Sequence, residues 1–171
     1  MIARRYLALS IIAAGILLII FVVGYSVLAN AITHPEVAPL PGEIAGLSLG
    51  QYKTGRGAVE EINRLHRKEF PLTSGAVGQY GAQHQVTLWV SGVPMRLMTS
   101  WLLKDMREKI AEGNSPFTPI GEEQVRERTI YILEGLGQRH FYFASNNLLI
   151  WLAADTELAE QALAQALEYY P

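Results

Sequence analysis

The chain has 171 residues, half of them apolar and 18% charged, with 14 basic residues against 16 acidic ones and no cysteine. That composition is too apolar for a disordered chain. The missing cysteine excludes disulfides, thiolate metal sites, thiol catalysis and a lipid-attachment cysteine, and a formal charge of −2 offers no nucleic-acid surface.

Residues 6–29, YLALSIIAAGILLIIFVVGYSVLA, contain no charged side chain. As a helix they extend about 36 Å, enough to cross a hydrocarbon core of about 30 Å with some tilt. Arg4 and Arg5 precede the run, and no Lys or Arg occurs after it until Lys53. This asymmetry predicts residues 1–5 in the cytoplasm, 6–29 as a single-pass anchor in the cytoplasmic membrane, and the rest of the chain outside. Ala29-Asn30-Ala31 also fits a small-x-small cleavage site, but signal-peptide cores run to about 7–15 residues and this one is longer. RRYLAL resembles a twin-arginine export signal. The length and apolarity of the adjoining run favour ordinary positive-inside flanks.

Residues 30–46 carry Pro35, Pro39 and Pro41 without periodicity. They read as an extended linker reaching at most about 50 Å at about 3.1 Å per residue. The folded domain is placed at 47–171. GRGAVEEINRLHRKEF predicts a helix with Ala58, Val59, Ile62 and Leu65 on one face, ended by Pro71. Short strands come next, around 76–80 and 85–91. A second helix spans 94–112, opened by Pro94, buried through Met95, Met98, Leu102, Met106 and Ile110, and stopped by Gly113-Asn114. Strands near 118–125, 128–134, 138–144 and 148–154 form a meander. The last helix, capped by Asp155 or Thr156, buries Ala159, Leu163, Ala166, Leu167 and Tyr170. TLWVSGVPMRLMTSWL and LIWLAADTELAEQAL echo one another, Trp89 matching Trp151, which raises a duplicated strand–helix unit.

Reactive constellations are sparse. His34, His66, His84 and His140 lack the paired spacing that puts two metal ligands on one helix face or alternate strand positions. His34 reads as a solvated linker residue and His66 as a hydrogen-bonded residue at a core edge. Gly55 and Gly57 open a helix whose free N–H groups suit an anion, but they serve more simply as a flexible entry. GLGQRH joins two strands and is a turn, and no serine stands in a nucleophile-elbow context. No cofactor or metal site is predicted.

Taking Asn146-Asn147 as a two-residue turn pairs Phe143 with Ile150, Tyr142 with Trp151, Phe141 with Leu152, and His140 with Ala153. Alternation puts Phe141, Phe143, Ile150 and Leu152 on one face, the natural floor for three amphipathic helices. Trp89, Tyr131, His140, Tyr142 and Trp151 fall on the other. With every helix on the aliphatic side, this aromatic face is the candidate surface for a ligand, a protein partner or a second copy. The alternative is that helices flank both faces, or that the sheet curls over the aromatic one.

The expected fold is therefore α+β: an antiparallel-rich sheet with about three helices packed mainly on one face, preceded by a transmembrane helix. The expected function is a membrane-anchored extracytoplasmic binding module rather than an enzyme. Two alternatives stand beside it: a small hydrolase-like enzyme with a pocket including His140 or His84, and an accessory subunit of a membrane complex.

Overall fold

The computed structural model describes residues 2–113 and 115–171. Asn114, half of the predicted helix stop, and the side chains of Arg4 and Arg5 lie outside the described residues. The chain opens with helix α1 (Ile2–Thr33), long and apolar enough from Leu9 to Thr33 to cross a membrane. Ile11, Leu17, Ile19 and Phe21 point in different directions around it and all stay exposed.

The domain continues as β1 (Glu36–Val37), β2 (Glu43–Ile44), β3 (Leu47–Thr54), α2 (Gly55–His66), β4 (Ser74–Tyr80), β5 (Val86–Gly92), α3 (Arg96–Ala111), β6 (Phe117–Val125), β7 (Arg128–Gly135), β8 (Gln138–Ser145), β9 (Leu148–Ala154) and α4 (Ala159–Tyr169). The nine strands form one sheet in the order β2-β3-β4-β5-β9-β8-β7-β6, with the short β1 parallel to β4 and every other pair antiparallel. This is the expected α+β class. The β8–β9 register is the predicted one, with Tyr142 opposite Trp151 and Phe143 opposite Ile150. Asn146 takes a φ of 54° at the turn, a conformation asparagine tolerates better than most residues. Helix α4 starts after a turn closed by Leu158 N–H on the Asp155 carbonyl (2.8 Å), so its start lies beyond the predicted caps.

Residues 34–46 are not a free linker. Glu36 and Val37 pair with Ser74 and Gly75, and Glu43 and Ile44 with Ser48 and Leu47. Ala38, Ile44 and Ala45 join the core. Three tyrosine hydroxyls then donate to three successive carbonyls: Tyr170 to Pro39 (2.7 Å), Tyr169 to Leu40 (3.1 Å) and Tyr80 to Pro41 (2.9 Å). Burial, and then the nearby tyrosines, push the Tyr80 and Tyr170 hydroxyls well above the ordinary tyrosine range, so both stay protonated donors. The guanidinium of Arg56 donates to the Thr33 carbonyl, placing positive charge at the C-terminus of α1. Gly55 makes this junction possible: its φ is +56°, and a Cβ there would meet the Pro35 carbonyl oxygen at 3.1 Å. The domain thus begins at Glu36, joined to α1 without slack.

The alternation of faces is as predicted, but their cover is not. Leu88, Val90, Phe141, Phe143, Ile150 and Leu152 form the aliphatic core, covered by α4 and the 38–45 segment. Two of the three domain helices do share a face, and it is the aromatic one. Ala58, Val59 and Ile62 of α2 pack on Val77 beside Trp89, while Leu103, Met106 and Ile110 of α3 pack on Leu133 and Tyr142. Sheet order supplies the reason. Four antiparallel steps separate β5 from β6, so these strands are parallel, and α3 must cross β9, β8 and β7 to join them. The crossing covers about 19 Å at about 4.8 Å per strand, and the 16 residues of α3 span about 24 Å. Leu65 and Met95, predicted buried, are exposed.

Trp89 stands directly opposite Trp151 across β5 and β9. The rotation relating two antiparallel neighbours preserves their faces, yet α3 and α4 lie on opposite faces. The sequence echo is therefore confined to strand and turn and does not extend to a duplicated strand–helix unit.

Candidate functional site

The residues singled out by alternation assemble into an aromatic ladder. Tyr131 on β7 stacks on Tyr142 on β8, with ring centroids 4.7 Å apart and planes 14° from parallel. Tyr142 stacks in turn on Trp151 of β9, at 5.3 Å and 11°. Cross-strand pairing on adjacent strands brings the three rings into one row. Phe117, at the start of β6, closes the end of the row against Trp151 (5.0 Å) and His140 (4.7 Å). Arg107 of α3 places its guanidinium 5.9 Å from the Tyr131 ring centroid.

His140 is 3% exposed and both of its ring nitrogens are occupied. An indole N–H only donates, so Trp151 Nε1, 3.1 Å away, fixes Nδ1 of His140 as an acceptor. The proton then sits on Nε2, which donates to the Gly135 carbonyl at 2.9 Å. Burial lowers the His140 pKa from its ordinary value, an effect the Gly135 hydrogen bond partly opposes. Tyr142 is 2% exposed, and its pKa is pushed up to about 12 by burial and then by Tyr131. Both side chains are neutral at neutral pH and engaged with their neighbours.

The structure brings together Tyr131, His140, Tyr142 and Trp151. Trp89 lies beside them by register, but it packs with Val93, Met98 and Leu102 in the cluster beneath α2. Its Nε1 is buried without a hydrogen-bond partner. None of the five forms an open sheet face: His140 and Tyr142 are buried, and Trp89, Tyr131 and Trp151 are half-buried. The expectation of an uncovered contact surface is corrected by the crossover helix lying over it. Nothing in the sequence marks Phe117 and Arg107 as members, because a bulge between Pro119 and Gly121 and the path of α3 set their positions.

The other histidines are dispersed. His84 is exposed in the β4–β5 turn with a φ of 55°. His66 sets Nδ1 2.8 Å from the Ile62 carbonyl and its ring edge-on to Phe70. His34 pairs with the Thr33 hydroxyl at 3.0 Å. Among the described residues no three His, Cys, Asp or Glu side chains come together as a metal site.

The geometry of His140 sets a pH dependence. Its folded pKa lies below the unfolded value of about 6.5, so its contribution to stability is complete above about pH 6.5. That contribution is lost as pH falls from there through the folded pKa, because the unfolded state takes up the proton first. An NMR titration of the imidazole should give a pKa below that of a free histidine. A value at or above about 6.5 would show that the ring is not held neutral by burial.

Comparison of the chain with protein-family models finds no match, and comparisons with characterised proteins and with solved structures find none either.

Proposed function

We propose that the chain is a single-pass membrane protein, with its N-terminus inside and its domain outside the cytoplasmic membrane, and that the domain is an interaction module. The observation that carries the reading is the stretch from Leu9 to Thr33, apolar and exposed throughout its most apolar part. Leaving that area in water costs about 25 cal/mol per Å², and a bilayer is the solvent that removes the cost. Arg4 and Arg5, with no further Lys or Arg before Lys53, support the inward N-terminus. Binding is favoured over catalysis because His140, the histidine nearest the aromatic ladder, has both nitrogens committed within the fold. In this reading the partner is another protein at the membrane or a second copy.

Protease added outside intact cells should remove the domain and leave a fragment containing α1 in the membrane. A domain protected until the cells are lysed would overturn the orientation. Replacing Arg4 and Arg5 together by glutamate should lower the fraction correctly oriented.

A further inference from the structure

We propose that the first two turns of α3 rest in the membrane interface, with Leu97 and Trp101 inserted at the boundary between headgroups and acyl chains. The inference rests on the anchored reading of α1 and adds a second, peripheral contact between domain and bilayer.

The geometry begins at the junction. Glu36, three residues past the end of α1, pairs with Ser74, and Ser74 pairs with Gly92 at the end of β5. Two strand spacings, about 10 Å, therefore separate Glu36, just beyond α1, from the strand that leads into α3. The Val93 N–H binds the Asn147 carbonyl (2.9 Å), and the Thr99 hydroxyl binds the Arg96 carbonyl (2.6 Å) with the Asn146 carbonyl 3.4 Å away. The start of α3 is thus seated on the β8–β9 turn, at the end of the sheet from which α1 departs.

What this end presents is unusual for a surface helix. Met95, Leu97 and Trp101 are 58%, 59% and 62% exposed. Leu97 and Trp101 are four residues apart and share a stripe, and helical side chains lean toward the N-terminus, here toward the exit of α1. Farther along, the outer surface changes character: Lys104 pairs with Glu108 (3.8 Å) and Lys109 with Asp105 (3.0 Å). Apolar residues near the exit of α1 and ion pairs beyond them match the change from hydrocarbon boundary to water. Arg96, exposed in the first turn, is placed to meet lipid phosphates. Tryptophan suits the interface because its ring is apolar and its N–H still finds a polar partner.

The native chain has no cysteine, so single cysteines report cleanly. Full-length protein carrying Leu97→Cys or Glu108→Cys, each labelled with an environment-sensitive fluorophore, is reconstituted into phosphatidylcholine–phosphatidylglycerol vesicles. The label at 97 should be blue-shifted, quenched by lipids spin-labelled near the headgroup and protected from aqueous iodide. The label at 108 should show the reverse. Equal iodide quenching at both positions in protein that floats with the vesicles and resists carbonate would overturn the interfacial contact and leave the anchor standing. A label at 97 shielded from both lipid and iodide would assign the patch to a protein neighbour and also overturn it. Protein that fails to float would instead overturn the anchored reading. Trp101→Cys repeats the measurement one turn along the same stripe.

Discussion

Phe143→Ala is expected to lower the unfolding free energy by about 3–5 kcal/mol. The Phe143 ring is fully buried in the core between sheet and α4, and its neighbours are already close-packed. Truncation removes the transfer free energy of the ring and leaves a cavity that rigid strands on both sides cannot collapse. It also removes the surface beneath the Arg128 guanidinium, whose carbon lies 5.7 Å from the ring centroid. Glu108→Ala is the control. It loses one exposed ion pair at 3.8 Å and should cost only a few tenths of a kcal/mol. A urea titration in mild detergent separates the two, and equal costs would show that α4 does not seal this side of the sheet.

Trp151→Ala is expected to cost a similar amount, about 3–5 kcal/mol. With every helix on the aliphatic side, Trp151 would stand on a free face, and truncation would leave stability nearly unchanged. In the fold it is the central rung between Tyr142 and Phe117, and among the described residues it supplies the donor on His140 Nδ1. Removal therefore opens space under α3 and leaves a buried imidazole nitrogen unpaired, a penalty of about 1–3 kcal/mol in itself. Trp151→Phe keeps the stacking surface and loses the N–H, so its cost should fall between those of the alanine variant and Glu108→Ala. Should Trp151→Ala prove as mild as Glu108→Ala, the ladder would not belong to the core.

These two residues show how far the sequence reaches. A period of two and the Asn146-Asn147 turn assign Phe143 and Trp151 to opposite faces, and both assignments match the structure, because each depends on local chain geometry. What covers each face depends on strand order. No local pattern announces that β9 pairs with β5, and that pairing forces α3 across the aromatic strands. Strand β3 is illegible in the sequence for a related reason. It lies toward one edge of the sheet and most of its residues are exposed, so the inward alternation that marks β5 or β9 is missing. The stretch from Pro35 to Pro41 reads as extended, and it is. The tyrosines that bind it are 39 to 131 residues distant in the chain, beyond the range of any spacing rule.

Those three tyrosine hydroxyls on Pro39, Leu40 and Pro41 have a consequence for how an anchored domain meets its surroundings. A slack linker would let the domain explore a hemisphere of about 50 Å radius. With α1 in the membrane as proposed, a welded joint would reduce that search to translation in the plane of the bilayer and rotation about the axis of α1. Targets held at another height would never be met, however high their concentration. For targets at the right height, orientation is already fixed before encounter, so less rotational entropy is lost on association. The joint exchanges reach for aim.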